Sequence, residues 1–245
     1  MADVIESLYE ALPEHTGSGW YGPIHPFIGS AFSASGPNAL RVMAIGVNTY
    51  CDPWSSPPPR NYAEDFRHQR YLFQQRVLRD AETIATALAG VAEWSWPFMG
   101  IDSVYLTNAV KRWLPKSEGL RAHKAEERWF QEGEPIFARE LDLLAERGRL
   151  PHLILVFGGR PWRHVWPAFH RGSPSFVRAY HPQPGPLYHH LNVIDFDELG
   201  ARRRALLIRL RHPSAAHYKP RWTPEALTAH PDFRRVAGLD AGPLV

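Results

Sequence analysis

The sequence has almost no cysteine, since Cys51 is the only one among its 245 residues. A single thiol excludes a disulfide framework, a cysteine-rich zinc module and an iron–sulfur cluster held by four thiolates of this chain. The sequence also lacks any apolar run near the roughly 20 residues that a membrane span needs, and its first residues are acidic where a secretory signal would be basic. We therefore expect a soluble, cytoplasmic protein with no membrane partner.

A recognisable metal-binding pattern is also missing. The 13 histidines include no His-x-x-x-His pair and are accompanied by no paired carboxylates. The adjacent His189 and His190 would point in different directions on any regular element. We therefore expect no metal site.

Acidic residues are scarce in one long segment. Residues 147–224 contain 13 Arg or Lys and 3 acids, a net charge of +10, whereas the other residues contain 15 basic and 22 acidic residues, a net charge of −7. Residues 202–221 alone contain seven basic residues and no acid. Basic side chains that neutralise phosphates gain free energy from counterion release, so this asymmetry favours a nucleic acid as partner. The alternative is the arginine bias of a GC-rich genome, because 24 of the 28 basic residues are Arg.

Four short apolar, β-branched runs predict buried strands, and the segments between them have helical periodicity. The predicted strands are 41–47, 103–106, 152–157 and 205–210, and the clearest helices are 67–88 and 125–144. Strands separated by helices imply crossover connections. We therefore predict an α/β fold, a three-layer α/β/α sandwich around a central, mainly parallel four-stranded sheet. The whole chain, 1–245, would form one domain with its motifs in 41–222.

Polar side chains follow the predicted strands where ligands bind in open α/β sheets, beyond the carboxyl ends. Asn48 follows the first strand in the segment Gly-Val-Asn-Thr-Tyr, and Asn108 follows the second in Thr-Asn-Ala-Val-Lys. Gly-Gly follows the third strand, and His212 follows the fourth in Arg-His-Pro-Ser-Ala. Amides and an imidazole, without carboxylates or a nucleophilic thiol, suit recognition of a neutral hydrogen-bonding ring and stabilisation of developing negative charge.

This order of motifs resembles the uracil-DNA glycosylase superfamily over about residues 41–222, roughly three quarters of the chain. The resemblance implies a DNA repair enzyme that flips a deaminated base out of DNA and hydrolyses its N-glycosidic bond without metal or cofactor. Its partner would be DNA containing a deaminated base, and the protein would be a monomer, associated with the nucleoid in a bacterium. Uracil is the base we expect, with hypoxanthine, xanthine and mismatch-derived lesions left open.

The resemblance also implies roles for individual residues. Asn48 would orient the attacking water, and His212 would donate a hydrogen bond to uracil O2, a type of interaction that typically lowers the barrier by ~3 kcal/mol. Asn108 would read the base through its amide, because cytosine presents the opposite donor and acceptor pattern. Tyr50 would exclude the methyl group of thymine, and Trp54 is the nearest aromatic that could stack on the base.

Further positions match the base pocket and the DNA-contacting segments of that superfamily. Gly46 belongs to the base pocket. The residues expected to contact DNA are Lys111, Arg211, Pro213, Ser214, Ala215 and Lys219. The loop that begins at Pro213 would pinch phosphates and wedge the minor groove.

The sequence departs from the superfamily pattern at two points. Thr49 stands where most branches have Pro, and the Gly-x-Pro-Phe segment that supplies a stacking aromatic is absent, leaving Tyr62 and Phe66 as candidates beside Trp54. His123 lies in a loop similar to that of a branch with a covalent histidine, but a solvated residue before the next helix explains it better. Two alternatives stay open: a non-catalytic or base-trapping DNA-binding member of the superfamily, and a small-molecule enzyme on a flavodoxin-like fold.

Overall fold

A computed structural model describes most of the chain with side chains. The described residues are 2–10, 21–34, 39–47, 49–51, 72–91, 93–115, 127–171, 190–210 and 223–239.

The strands in this part of the chain form two sheets. They are β1 (Tyr21–Pro23), β2 (Phe27–Ile28), β3 (Val42–Gly46), β4 (Thr49–Cys51), β5 (Val104–Asn108), β6 (Arg112–Pro115), β7 (Leu153–Phe157), β8 (His190–Glu198) and β9 (Ala201–Leu210). The larger sheet has six strands in the order β2-β5-β3-β7-β9-β8, and the smaller has three in the order β1-β6-β4.

The larger sheet is mixed. Strand β3 pairs in parallel with β5 and with β7, and β7 pairs in parallel with β9. The outer strands β2 and β8 are antiparallel to their neighbours. The predicted α/β class is confirmed, but the predicted number of four strands is wrong, because an antiparallel strand is added at each side. Every residue of β3, β5 and β7 is buried, as expected for strands covered on both faces.

Helices cover both faces of this sheet. They are α1 (Ala2–Glu10), α2 (Ser30–Ser33), α3 (Leu72–Leu88), α4 (Glu127–Glu146), α5 (Gly159–Arg171), α6 (Pro224–Thr228) and α7 (Pro231–Ala237), with one 3₁₀ turn at Gly100–Ser103. The predicted helix 67–88 is observed from Leu72 onward, and the predicted helix 125–144 is α4, which extends to Glu146.

Alternation along the strands divides the apolar core in two. Val42 and Ala44 of β3 pack with α3, α6 and α7, and we call this side the α3 face. Met43 and Ile45 pack with α1, α4 and α5, and we call this side the α4 face. In the described part of the chain, helices therefore cover both faces of the sheet.

The amino-terminal ends of the strands are closed by a buried polar cluster. The Arg41 backbone N–H donates to His152 Nδ1 at 3.1 Å, and Arg41 Nη2 lies 3.3 Å from His152 Nε2. Arg41 Nε donates to the Leu150 carbonyl at 2.8 Å, and the Leu150 N–H donates to Glu198 at 2.7 Å. Burial, together with Arg41 and Arg203, lowers the pKa of His152 to about 3. His152 is therefore neutral at physiological pH, and this edge is structural.

Candidate functional site at the carboxyl edge of the sheet

The carboxyl ends of the four parallel strands meet at the opposite edge. Gly46 at the end of β3 is in register with Asn108 at the end of β5, and Phe157 of β7 is in register with Leu210 of β9. The chain passes from β3 to β5 on one side of β3, and then from β5 to β7 on the other side of β3, because the sheet order is β5-β3-β7-β9. The strand order therefore reverses between β3 and β7. In open α/β sheets this is the position of the ligand crevice.

The turn that follows β5 continues the hydrogen-bonding ladder beyond the strands. The Ala109 N–H donates to the Gly46 carbonyl and the Val110 N–H to the Val47 carbonyl, each at 2.9 Å. Asn108 is 3% exposed, and alternation places it on the same face as Leu106, the α3 face. The backbone on both sides of Asn108 is thus fixed against β3, one strand from the chain that leads to Asn48.

The structure brings some of the predicted site residues together. Gly46 and Asn108 are buried neighbours at the edge. Tyr50 lies in β4, where its backbone is in register with Leu114 of β6, and its side chain lies outside the described residues. The following predicted residues also lie outside them: Asn48, Trp54, His123, Arg211, His212, Pro213, Ser214, Ala215 and Lys219. Their roles stay predictions.

Lys111 does not lie at a DNA-contacting surface, so its predicted role is wrong. Its side chain is only 2% exposed, and Nζ donates to the two carboxylate oxygens of Glu140 at 3.0 and 2.9 Å. The same ammonium donates to Thr107 Oγ1 at 2.6 Å. A phosphate cannot reach a cation that is enclosed in this way.

Lys111 instead belongs to a polar cluster on the α4 face, with Glu140, Thr107 and Tyr9. The Tyr9 hydroxyl donates to Glu140, and Thr107 Oγ1 lies 3.3 Å from each Glu140 oxygen. Burial and the charge of Glu140 raise the pKa of Tyr9, and burial lowers the pKa of Lys111 against the opposing effect of Glu140. Sequence analysis missed Glu140, although it lies four residues from both Ile136 and Leu144, on the apolar stripe of α4.

A cation of β9 lies beside the start of α5, close to the point where the strand order reverses. Gly158 has φ 105°, which turns the chain sharply from β7 into the helix. A Cβ at Gly159 would lie 2.7 Å from Arg209 Nη2, so the guanidinium of β9 occupies the space beside the first residue of α5. Burial and the nearby Arg163 lower the pKa of Arg209, and among the described residues its buried Nε has no hydrogen-bond partner. The helix dipole and these arginines together give this edge a positive potential.

Arg203 and Arg204 contribute little to that potential. Arg203 donates to Glu198 at 2.9 Å and Arg204 to Glu93 at 2.8 Å, so nearby carboxylates neutralise both guanidinium groups. They also lie at the beginning of β9. Arg203 and Leu210 are seven residues apart in β9, which corresponds to about 23 Å of strand. Arg203 and Arg204 therefore lie toward the amino edge, away from Arg209.

Two classes of site are not found in the described residues. No three His, Cys, Asp or Glu side chains among them are close enough to hold a metal ion. In the same part of the chain, none of the helices has the length and apolarity to cross a bilayer.

The fold defines an open α/β protein whose strand order reverses between β3 and β7, the position where proteins of this class generally bind ligands, with Asn108 at the end of β5 and Arg209 near the end of β9. A search against protein-family models and a search of curated proteins found no match for this chain.

Proposed function

We propose that the chain is a DNA glycosylase similar to the uracil-DNA glycosylases, which excises a deaminated base, most readily uracil, from DNA. It would act as a monomer in the cytoplasm, without metal or cofactor. Its partner would be DNA containing the damaged base.

The observation that carries the proposal is the adjacency of Gly46 and Asn108 across β3 and β5. Asn48 follows Gly46 by two residues, so the proposed water-orienting amide and the proposed base-reading amide leave neighbouring strands at one edge. His212 follows the last residue of β9 by two residues, and β9 lies two strands from β3. At ~4.8 Å per strand, the ends of β3 and β9 are about 10 Å apart, a separation that suits a base and its sugar.

The proposed chemistry needs no proton-accepting side chain at this edge. Cleavage of the C1′–N bond gives an oxocarbenium-like sugar and a uracil anion; water then adds to C1′, and the proton that this water loses ends on the departing uracil by way of solvent, so the hydrolysis balances without a side-chain base. Asn48 holds the attacking water in line, which supplies orientation, since an amide is not basic enough to take its proton. His212 donates to O2 of the leaving base, where negative charge accumulates, and such a preorganised donor lowers the barrier by about 3 kcal/mol.

Asn108 provides the selection between bases. Its carbonyl oxygen accepts from uracil N3–H while its NH₂ group donates to O4. Cytosine offers an acceptor at N3 and a donor at N4, so both groups of a buried amide would be left unpaired. The Ala109 and Val110 amides, which donate to β3, hold the backbone after Asn108 in a fixed position, as a base-reading amide requires.

The test is release of uracil from an oligonucleotide, measured as free base and as alkali-labile abasic strands. We expect Asn48→Ala and His212→Ala each to slow release by at least about 100-fold while the circular dichroism spectrum is unchanged. His230→Ala, between α6 and α7, is the matched control and should keep the wild-type rate. Robust release by both Asn48→Ala and His212→Ala would refute the assigned roles, and tight binding without any release would indicate the base-trapping alternative.

A small-molecule enzyme on a flavodoxin-like fold is the second candidate. The strand order reversal between β3 and β7, with Arg209 beside the start of α5, would also suit a small phosphate-bearing ligand. The two candidates differ in their response to salt. Binding to a DNA duplex must weaken steeply as salt rises, so a protein indifferent to DNA at low salt would favour the second candidate.

A further inference from the structure

The most heavily buried charges among the described residues lie directly behind the proposed base-reading amide. Lys111 and Glu140 are 2% and 0% exposed, and together with Thr107 and Tyr9 they form a closed hydrogen-bonded cluster on the α4 face. Removing two charges from water costs free energy that their mutual attraction often only offsets, and apolar residues of similar volume would serve the core equally well. The cluster therefore calls for an explanation other than stability.

The arrangement of the cluster offers that explanation. Lys111 Nζ reaches back to Thr107 Oγ1, four residues earlier, and so closes a loop that contains Asn108. The backbone of Lys111 is held as well, because its carbonyl accepts from the Ile24 N–H at 2.9 Å. Glu140 then ties this closed loop to α4.

Asn108 itself lies on the other side of the strand. Alternation places Thr107 on the α4 face and Asn108 on the α3 face, so the cluster acts on the amide through the backbone. The Ala109 and Val110 amides, which donate to β3, connect the two sides. A shift of Lys111 would therefore move the Asn108 backbone relative to Gly46.

The geometry points to Lys111 and Glu140 as positioning residues, which hold the Asn108 amide in the position required to distinguish uracil from cytosine. This inference rests on the proposed function for the identity of the base. It does not require Lys111 or Glu140 to touch DNA.

The informative variant is Lys111→Met combined with Glu140→Gln. Both charges disappear together, so no unpaired buried charge remains, and the new amide can still accept from Tyr9. The matched control is Arg41→Met combined with Glu198→Gln, which removes the other deeply buried ion pair, 3.8 Å apart at the amino edge. Urea unfolding establishes that both double variants are folded under the assay conditions.

Two measurements are then made on each protein. Hydrogen exchange of the Ala109 and Val110 amides, without DNA, reports whether the loop is held. Release from uracil- and cytosine-containing oligonucleotides gives kcat, KM and the ratio between bases. Because a misplacement of about 1 Å can cost about 100-fold in rate, we expect the Lys111/Glu140 variant to lose 10- to 100-fold in kcat and to discriminate less between the bases. Its Ala109 and Val110 amides should exchange faster.

The control variant should keep the wild-type kcat, base ratio and exchange rates at these two amides. Unchanged exchange in the Lys111/Glu140 variant would overturn the inference, as would faster exchange with an unchanged kcat and base ratio. If the wild-type protein released no uracil, the proposed function would fail, and the exchange measurement would still decide whether the ion pair holds the loop.

Discussion

Replacing Gly133 by Ala should disturb the site from the helix side. Gly133 lies in the middle of α4 and is buried, and a Cβ built on it would overlap the Ala109 carbonyl oxygen at a distance far below the 3.0 Å that real Cβ atoms respect. The obstacle is backbone, one residue from Asn108, so it cannot rotate away. Either α4 or the turn after β5 must move by roughly 1 Å.

The expected magnitude follows from two opposing effects. Overpacking a core contact costs about 1–3 kcal/mol, and a rigid backbone obstacle belongs at the upper end of that range. Ala is about 1 kcal/mol more favourable than Gly inside a helix, and this offsets part of the overpacking cost. We therefore expect a net loss of about 2 kcal/mol in the free energy of unfolding. For a domain of this size the melting temperature should fall by about 4–8 °C.

The assay combines thermal unfolding with uracil release. If the turn after β5 moves and α4 does not, uracil release should also slow by about 100-fold, because Asn108 is displaced. Gly90→Ala is the matched control, since a Cβ at Gly90 meets nothing within 4 Å, and it should leave both quantities unchanged. A Gly133→Ala protein as stable as the wild type would refute the close approach of α4 to Ala109.

The pKa of His152 and the charges after β9 give two further predictions. Because the pKa of His152 is about 3 when folded and near 6.5 when unfolded, the unfolded state takes up the proton first and stability falls as pH drops below 6.5. Urea unfolding at pH 7.5 and 5 should show a loss of about 2 kcal/mol that His152→Asn removes, and an equal loss in that variant would contradict the linkage. Neutralising Arg211 and Lys219 should weaken DNA binding and reduce the slope of log K against log salt by up to about 1.8, with base preference unchanged. A changed preference would mean that these residues read the base.

Three of the four strands that sequence analysis predicted, β3, β5 and β7, are buried along their whole length. β3 and β7 are continuous apolar runs, so burial on both faces leaves a direct signal. β8 has no such signal, because an edge strand mixes polar and apolar residues. It joins β9 through Leu199 and Gly200, with φ 54° and 79°. Leu is a rare residue at positive φ, so this two-residue hairpin turn lacks the usual Asn-Gly mark.

The candidate site was predictable only in part. Asn108 could be located because it directly follows a predicted strand, 103–106, and the carboxyl ends of parallel strands meet at one edge. The burial of Lys111 could not be predicted in the same way, because it depends on Glu140, 29 residues later, and on Tyr9, 102 residues earlier. A lysine in a loop is normally solvated, and only the tertiary structure supplies the buried carboxylate that reverses this expectation.

The basic segment shows why charge along the chain differs from charge in space. A strand carries its residues from one edge of the sheet to the other, so β9 takes Arg203 and Arg204 to acids at the amino edge and Arg209 to the carboxyl edge. A net charge summed over the segment adds these two groups together, although they lie on opposite sides of the core. Among the described residues of β9, Arg209 is therefore the cation at the carboxyl edge, beside the start of α5. Neutralising Arg203 and Arg204 should accordingly leave the salt dependence of DNA binding unchanged, in contrast to Arg211 and Lys219.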